Sequence, residues 1–220
     1  MHGVTISLLV FLSIFTSLTL KPKAQYLLPI TKHEPTKQFY TTLNIGSAAK
    51  SPVKLILDLE TNLSWLNCRN IKSLSTFRHV GCNTSLCKSL SNALCKANTC
   101  YNRQPNPLNQ IPIIARLGQD IVSFPTIHGS KFHATISVRN FPFLCAGQKD
   151  LQGVSPPLVG VLGLSPGALS FPKQVISARG AIPRFALCLP SSTGTGHFYI
   201  SGGPYSISPF NDRLLVPMRL

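Results

Sequence analysis

The sequence predicts an all-β protein, and three observations lead to this class. Eighteen prolines and fifteen glycines are spread along the 220 residues and divide the chain into short segments. The segments between them are rich in Val, Ile, Phe and Thr and are bounded by turn residues, a pattern typical of a β-sandwich or barrel-like domain. Only 167–177, around Pro172–Ile176, has the composition for a helical turn or two.

Seven segments are predicted to be strands. In chain order they are Gln38–Ile45, Val53–Leu59, Ile111–Ala115, Asp120–Phe124, Ile127–Val138, Phe185–Leu189 and Gly196–Ser201. The stretch 68–110 is rich in Ser, Asn and Cys and has little periodicity, so we predict a loop region held by disulfides there. No internal repeat or low-complexity linker divides the chain, which indicates one β-rich domain.

Residues 1–24 are predicted to be a secretory signal peptide. The first twenty residues contain no Lys, Arg, Asp or Glu, and Val4–Leu20 is a nearly continuous apolar run that ends at Lys21-Pro22-Lys23. Seventeen residues are at the lower limit for a bilayer span. The N-terminal position and the abrupt polar end favour a signal over a membrane anchor, although the usual positive n-region is missing. We therefore expect a secreted protein with no membrane attachment after signal removal.

The net charge is +15, from 21 basic and six acidic residues. Lys and Arg are spaced almost evenly from Lys21 to Arg219, whereas nucleic-acid binders usually concentrate such charge on one stripe. We therefore expect a solvated basic surface and no nucleic-acid partner. The alternative is that the charge attracts a polyanion of the secreted environment, such as an acidic cell-wall polysaccharide.

The seven cysteines indicate disulfides, because the chain is predicted to be secreted. Four of them, Cys82, Cys87, Cys95 and Cys100, lie within nineteen residues. They form no Cys-x-x-Cys pair and have no His at ligand spacing, so neither a zinc site nor any other metal or cofactor is predicted. The odd number implies at least one unpaired thiol or a partner outside the chain.

One segment, Leu55–Leu66, places a single carboxylate between two apolar runs and before the only tryptophan. Asp58 is followed by the turn Leu59-Glu60-Thr61 and then by Trp65. This order resembles the frame apolar-apolar-Asp-Thr-Gly-Ser-x-x-x-Trp of pepsin-like aspartic proteases, in which the aspartate is catalytic. The Asp and Trp stand at the matching spacing, whereas the turn departs from the frame.

Further segments in the same order extend the resemblance over about residues 25–216. They include Phe143-Leu144-Cys145-Ala146, Val159–Leu164 with the following Ala168–Pro172, and Phe198–Tyr205. The chain is thereby similar to plant extracellular pepsin-like proteins, in particular to an inactive branch of xylanase- and glucanase-inhibitor-like proteins, extracellular dermal glycoproteins and basic seed globulins. The resemblance implies a pepsin-like N-terminal lobe over 25–220 that is truncated before the second lobe.

The resemblance aligns Asp58 with the first catalytic aspartate, but the sequence favours a non-functional site. Proteolysis needs two carboxylates that share one proton. The other acids lie in no Asp-Thr-Gly or Asp-Ser-Gly frame; they are Glu34, Glu60, Asp120, Asp150 and Asp212. Glu60 also stands where active enzymes have a glycine that brings backbone close to the carboxylates, a position where we expect only glycine to be conformationally comfortable.

The resemblance also bears on the surroundings of Asp58. We predict that Ile114–Val122 is the hairpin that covers the cleft, and it lacks the tyrosine of active relatives. Trp65 is predicted to anchor the core rather than to stack on a ligand.

The same resemblance implies a covalent framework. It pairs Cys68 with Cys145, and we expect Cys82–Cys87 and Cys95–Cys100 as local staples. Cys188 is then the unpaired cysteine, because the matching cysteine of two-lobe relatives bridges to the second lobe.

Two sequons, at Asn62 and Asn83, predict N-glycosylation. Asn83 lies in the loop region and is the better candidate, whereas Asn62 flanks the turn after Asp58.

Three interpretations follow. The first is a secreted, catalytically inactive lobe that binds a protein such as a secreted glycoside hydrolase, or that has a wall or storage role. The second is an aspartic endopeptidase whose second Asp comes from another chain or lobe. The third is a truncated product without independent function. A lobe without its partner also predicts self-association through the uncovered face near the post-signal strand and 214–216.

Overall fold

The computed structural model describes residues 25–46, 51–70, 76–128, 131–191, 194–202 and 218–219. The predicted signal peptide, Asp212 and the apolar segment 214–216 lie outside the described residues. Most of the described chain is extended. The strands are β1 (Tyr26–His33), β2 (Gln38–Ile45), β3 (Ser51–Asp58), β4 (Trp65–Asn67), β5 (Arg78–His79), β6 (Ala93–Lys96), β7 (Thr99–Pro105), β8 (Pro112–His128), β9 (Lys131–Ala146), β10 (Leu158–Gly163), β11 (Arg184–Cys188), β12 (Thr195–Ile200) and β13 (Met218–Arg219).

Helices are few and short in this part of the chain. They are α1 (Ser85–Lys88), α2 (Phe171–Arg179) and the 3-10 helices η1 (Cys68–Asn70) and η2 (Gln148–Leu151). Helix α2 has Pro172 in its first turn, where a missing N–H costs nothing. It ends at Gly180, which adopts the left-handed conformation with φ of 57°. The helix predicted around Pro172–Ile176 is confirmed.

The strands form one extended, folded sheet in the order β13-β11-β12-β1-β2-β3-β10-β4-β9-β8-β7-β6, with β5 paired to β8. The chain is thus an all-β lobe, as predicted. Its larger hydrophobic cluster surrounds Phe171 of α2, whose ring meets those of Phe124, Phe141 and Phe198 at centroid distances of 5.4, 5.9 and 6.0 Å. A second cluster surrounds Trp65 and lies beneath the cysteine-rich segment.

Several predicted strands are confirmed and others are corrected. Strand β2 has the predicted limits, whereas the two segments predicted within 111–124 belong to the single long strand β8. The stretch 68–110 was predicted to be loop, but it contains α1 and the β6–β7 hairpin. The strands β6 and β7 carry Cys, Lys, Asn and Arg instead of an alternating apolar pattern, so their composition did not indicate strands.

The site is positioned by the insertion of one strand between two others. Strand β10 lies between β3 and β4, parallel to the first and antiparallel to the second. Gly160 faces Leu66 so closely that a Cβ at Gly160 would lie 2.1 Å from the carbonyl oxygen of Trp65. The glycine therefore permits the contact that brings β3, β10 and β4 together at the turn after Asp58.

Candidate functional site

Asp58 is the last residue of β3, and its side chain is half-buried. Its Oδ2 accepts a hydrogen bond from the backbone N–H of Thr61 at 2.7 Å. Its carbonyl oxygen accepts a second from the N–H of Leu164, just beyond β10, at 2.8 Å. The carboxylate therefore closes the turn 58–61, and the backbone on both sides of it is fixed.

The residues at and just after the end of β10 form hydrogen bonds with the segment 61–64, which includes the end of this turn. Gly163 lies beside Asp58 in the parallel pair of β3 and β10. Its N–H donates to the buried hydroxyl of Ser64 at 3.0 Å. The N–H of Ser165 donates to the carbonyl oxygen of Thr61 at 3.2 Å. The segment Val159–Leu164, one of those that carry the resemblance, thus lies beside the Asp58 turn.

Glu60 lies at the surface of this turn, and its side chain is exposed. Six non-glycine residues of the described chain have positive φ, and Glu60 is not among them. The expectation that this position needs a glycine for conformational reasons is therefore wrong. The turn has adopted a conformation that an L side chain accepts, and what Glu60 adds is a second carboxylate at the same site.

A cleft of about 420 Å³ opens above the turn. One side is the segment from Asp58 to Leu63, and the opposite side is the hairpin formed by β7, the turn 106–111 and the start of β8. The amide of Gln104 crosses between them and donates to the carbonyl oxygen of Leu63 at 2.9 Å. Leu90, Ala168 and Leu169 contribute apolar wall.

The hairpin predicted to cover the cleft was placed wrongly. Ile114–Val122 lies inside β8, where β7 or β5 on one side and β9 on the other pair with it. The covering hairpin is built by residues 99–112, and Tyr101 of β7 does not line the cleft. The prolines at 105, 107 and 112 with the turn residue Asn106 mark this hairpin in the sequence, although the region up to residue 110 was predicted to be loop.

The tip of the hairpin is attached to the rest of the lobe. The side-chain amide of Asn106, which is buried, donates to the carbonyl oxygens of Asp150 at 3.3 Å and Gln152 at 3.1 Å. Asn109 donates to the same Gln152 oxygen at 3.1 Å. Leu108 packs so closely on Gly153 that a Cβ there would lie 2.8 Å from the Cβ of Leu108. These contacts attach the tip of the hairpin to the segment 150–153.

The other described acids lie away from Asp58 and have their own contacts. Glu34 pairs with Lys37, whose ammonium lowers the pKa of that carboxyl. Asp150 accepts the N–H of Gly147 at 2.8 Å. Asp120 is buried on β8 and accepts from the hydroxyl of Thr76 and the N–H of Ile121. Within the described residues, Glu60 is therefore the one other carboxylate that lines the cleft.

Trp65 is completely buried in the second hydrophobic cluster, beside Leu144 and Val161. The predicted core anchor is confirmed. Its indole N–H has no hydrogen-bond partner among the described residues.

The disulfide framework agrees with the predicted one in part. Cys68 is bonded to Cys145, the pair that the resemblance implied. The two local staples are wrong: Cys82 is bonded to Cys95, and Cys87 to Cys100. Cys95 and Cys100 face each other across the β6–β7 hairpin, and each bonds across to the segment that carries α1. The two bonds therefore join α1 to the hairpin instead of closing small local loops.

Cys188 is unpaired and half-buried at the end of β11, as predicted. Its neighbour across the sheet is His197 of β12. Burial lowers the pKa of the His197 imidazole from its ordinary value.

The two sequons have different surroundings. Asn83 is exposed, in the turn before α1. Asn62 is exposed too, but its Oδ1 accepts from the N–H of Leu169 at 3.1 Å, and its amide fills the space where a Cβ on Gly167 would sit. Modification of either asparagine stays a prediction.

No helix of the described residues has the length and apolar character needed to cross a membrane. In the same part of the chain, no three His, Cys, Asp or Glu side chains are grouped so that they would hold a metal ion.

A β3–β10–β4 arrangement with an aspartate at the end of β3 and a hairpin across the cleft defines a pepsin-like N-terminal lobe. Residues 39–202 match the family described as xylanase inhibitor N-terminal, and the chain belongs to this family.

Among curated relatives, gamma conglutin 1 of Prunus dulcis is 30% identical over 168 residues, which cover 70% of this chain and 39% of that protein. The probable aspartic proteinase GIP2 of Nicotiana benthamiana is 30% identical over 227 aligned residues, which cover 95% of this chain and 51% of the relative. The chain therefore spans about half the length, or less, of these relatives.

Solved structures of similar proteins also match this chain over about half of their own length. The structure named edgp superposes with a TM-score of 0.75 at 27% identity, over 91% of this chain and 50% of the other. The structure of basic 7S globulin from soybean superposes with a TM-score of 0.74 at 26% sequence identity, over 83% of this chain and 51% of the other. These proteins have the fold that the sequence predicted for this chain.

Proposed function

We propose that the protein is a secreted, catalytically inactive member of its family that acts by binding another protein. The observation that carries this proposal is the arrangement of carboxylates in the cleft. Asp58 is accompanied there by Glu60, which lies two residues away on the same turn and is exposed. A proton-sharing dyad needs two carboxylates that face each other across a water molecule. Within the described residues, two acids on one turn do not supply that arrangement.

The attached hairpin supports the same proposal. In a protease the covering hairpin has to admit and release an extended substrate, so it is drawn from the mobile part of the fold. Here Asn106, Asn109 and Leu108 attach the tip to the 150–153 segment. A cleft held in one shape suits binding better than turnover.

The test is proteolysis of a denatured protein substrate at acidic pH by the secreted chain. We expect no cleavage, and the same result for Asp58→Asn. Cleavage that is sensitive to pepstatin and is lost in Asp58→Asn would establish the alternative, an aspartic endopeptidase that obtains its second Asp from another chain or lobe. The names of the relatives GIP1 and GIP2, probable aspartic proteinases, make this alternative worth testing.

For the bound protein we propose a secreted glycoside hydrolase, and the family description, xylanase inhibitor N-terminal, supports the choice. The experiment measures the activity of a panel of secreted xylanases and glucanases with increasing amounts of the chain. Inhibition of at least one enzyme that saturates at a defined stoichiometry supports an inhibitor function. Binding without inhibition would favour a wall or storage role, in which the +15 charge also attracts acidic polysaccharide.

A further inference from the structure

One face of the sheet formed by β6, β7 and the first part of β8 is open to solvent. Residues opposite each other in antiparallel strands point to the same side of a sheet, and so do alternate residues within one strand. The strand pairing therefore places six side chains together, and we name them the outer face: Leu94, Lys96, Tyr101, Arg103, Ile114 and Arg116. Tyr101 is half-buried and the other five are exposed. Between them, Cys100, Ile113 and Ala115 point to the opposite side and are buried in the second hydrophobic cluster.

The outer face exposes large apolar side chains. Leu94 is 47% exposed and Ile114 is 48% exposed, and they lie on either side of β7, which contributes Tyr101 and Arg103 between them. Exposed apolar residues scattered singly are ordinary, whereas apolar residues grouped on one face and rimmed by polar ones indicate an interaction site. Tyr and Arg are also the residues that most often anchor protein interfaces. The outer face therefore has the composition of a protein-binding surface.

The exposed charge of the outer face is entirely positive, and it comes from Lys96, Arg103 and Arg116. None of the three forms an ion pair with a described residue, since the one pair found there joins Lys37 to Glu34. The other described acids belong to the cleft, which contains Asp58 and Glu60, or are buried, as are Asp120 and Asp150. A partner with exposed carboxylates would supply the missing counter-charge, and complementary charge steers two surfaces together.

Two disulfides brace the outer face from the opposite side of the sheet. Cys95 of β6 is bonded to Cys82, and Cys100 of β7 is bonded to Cys87. Cys95 and Cys100 face each other across the hairpin and point away from the outer face. A surface that is fixed before binding loses less conformational freedom when a partner covers it.

We propose that the outer face docks an acidic surface of a partner protein. The inference rests on the proposed protein-binding function and names the surface and the charge of the partner. Leu94 and Ile114 contact apolar side chains at the centre, and the three cations contact carboxylates around them. An acidic polysaccharide would match the cations alone. The two exposed aliphatic side chains favour a protein, because a polymer of sugar acids has no large apolar groups to cover them.

The experiment titrates the full chain, produced through a eukaryotic secretory pathway, with four probes while calorimetry follows binding. The first is a helical peptide with one stripe of leucines flanked by glutamates. The second replaces its leucines by glutamine, the third replaces its glutamates by lysine, and the fourth is oligogalacturonate. We expect the first peptide to bind at least about tenfold more tightly than each of the others. Added salt should weaken its binding, because the charges involved are exposed.

Two variants test the outer face itself. Arg116→Glu reverses a charge and should weaken the first peptide at least about tenfold. Ile114→Thr removes apolar surface but keeps a β-branched residue in the strand, and should weaken the peptide about fivefold. Arg184→Glu is the matched control for charge, because Arg184 is exposed on β11, near the other end of the sheet. Unfolding midpoints establish that each variant is folded.

The proposal is overturned if the first peptide does not bind, if the leucine-free peptide or oligogalacturonate binds as tightly, or if Arg184→Glu and Arg116→Glu have equal effects. The proposed function fails separately. A hydrolase inhibited equally by the unaltered chain and by Arg116→Glu would refute this docking surface and leave the inhibitor function in place. Selective peptide binding at the outer face, with no hydrolase of the panel inhibited, would support the surface and count against the inhibitor function.

Discussion

Ser64 and Gly163 are joined by a buried hydrogen bond in which the N–H of Gly163 donates to the Ser64 hydroxyl over 3.0 Å. The bond links the segment after the Asp58 turn to the end of β10. A Cβ on Gly163 would lie 2.4 Å from the carbonyl oxygen of Thr61, so the two segments meet only because this residue has no side chain. Thr61 itself lines the cleft, so this contact positions part of the cleft wall.

Gly163→Ala should therefore lower the free energy of unfolding of the lobe by about 1–3 kcal/mol, because the added Cβ would clash with backbone atoms. Urea unfolding measures the effect. Gly194→Ala is the control, because a Cβ at Gly194 would have nothing within 4 Å. Equal unfolding midpoints for the two variants would contradict the packing described.

The disulfides of the cysteine-rich segment should differ in their contribution to stability. Both Cys82–Cys95 and Cys87–Cys100 have a separation of 13 residues, so loop closure gives each about 3 kcal/mol. Cys87 and Cys100 are also buried in the second cluster, whereas Cys95 is exposed.

We therefore expect the double alanine variant of Cys87 and Cys100 to be the less stable one, because it leaves a cavity as well. Denaturant unfolding of the two double variants gives the comparison. Peptide mapping under non-reducing conditions should recover both bonds, and a Cys82–Cys87 peptide would refute the framework.

Asn83 should carry a glycan in the secreted protein, whereas Asn62 should not. A glycan on the Asn62 amide would displace it from Gly167 and Leu169 and open the turn of the site. Intact mass before and after enzymatic deglycosylation measures occupancy. Asn83→Gln should remove the mass difference and Asn62→Gln should leave it; the reverse pattern would show that this turn is dispensable for secretion.

His197 should make the lobe less stable in acid. Burial lowers its pKa in the folded state below the unfolded value of about 6.5. Its contribution is fully present above the unfolded pKa and is lost as the pH falls through the lower folded pKa, because the imidazole must be charged without solvent.

Unfolding midpoints at about pH 8 and about pH 5 give the measurement. His197→Gln should reduce the difference between them, whereas His79→Gln, at an exposed position, should not. If both variants retain the full difference, His197 makes no such contribution.

Cys188 should be the single free thiol of the secreted chain and should react slowly, because it is half-buried. Thiol labelling of the native protein should give one equivalent or less, rising to one on unfolding. Sedimentation of Cys188→Ser at micromolar concentration separates the thiol from the predicted uncovered face as a cause of association. A variant that remains associated would place the cause in the non-covalent surface.

The sequence alone determined those elements whose secondary structure and burial follow from the types of side chain along a short segment. The limits of β2, the helix at Pro172 and the burial of Trp65 follow from local composition and apolar pattern. The order of motifs around Asp58 likewise determined the fold and the family, because spacing between an aspartate, a tryptophan and a glycine strand is a property of the chain itself.

Tertiary structure decided the features that depend on which segments meet. Four cysteines within nineteen residues allow three pairings, and the packing of α1 on the β6–β7 hairpin selects one of them. The covering hairpin and the acceptance of Glu60 in the turn have the same origin. Each depends on segments that are distant in the sequence and meet only in the folded chain. Local composition therefore does not predict it.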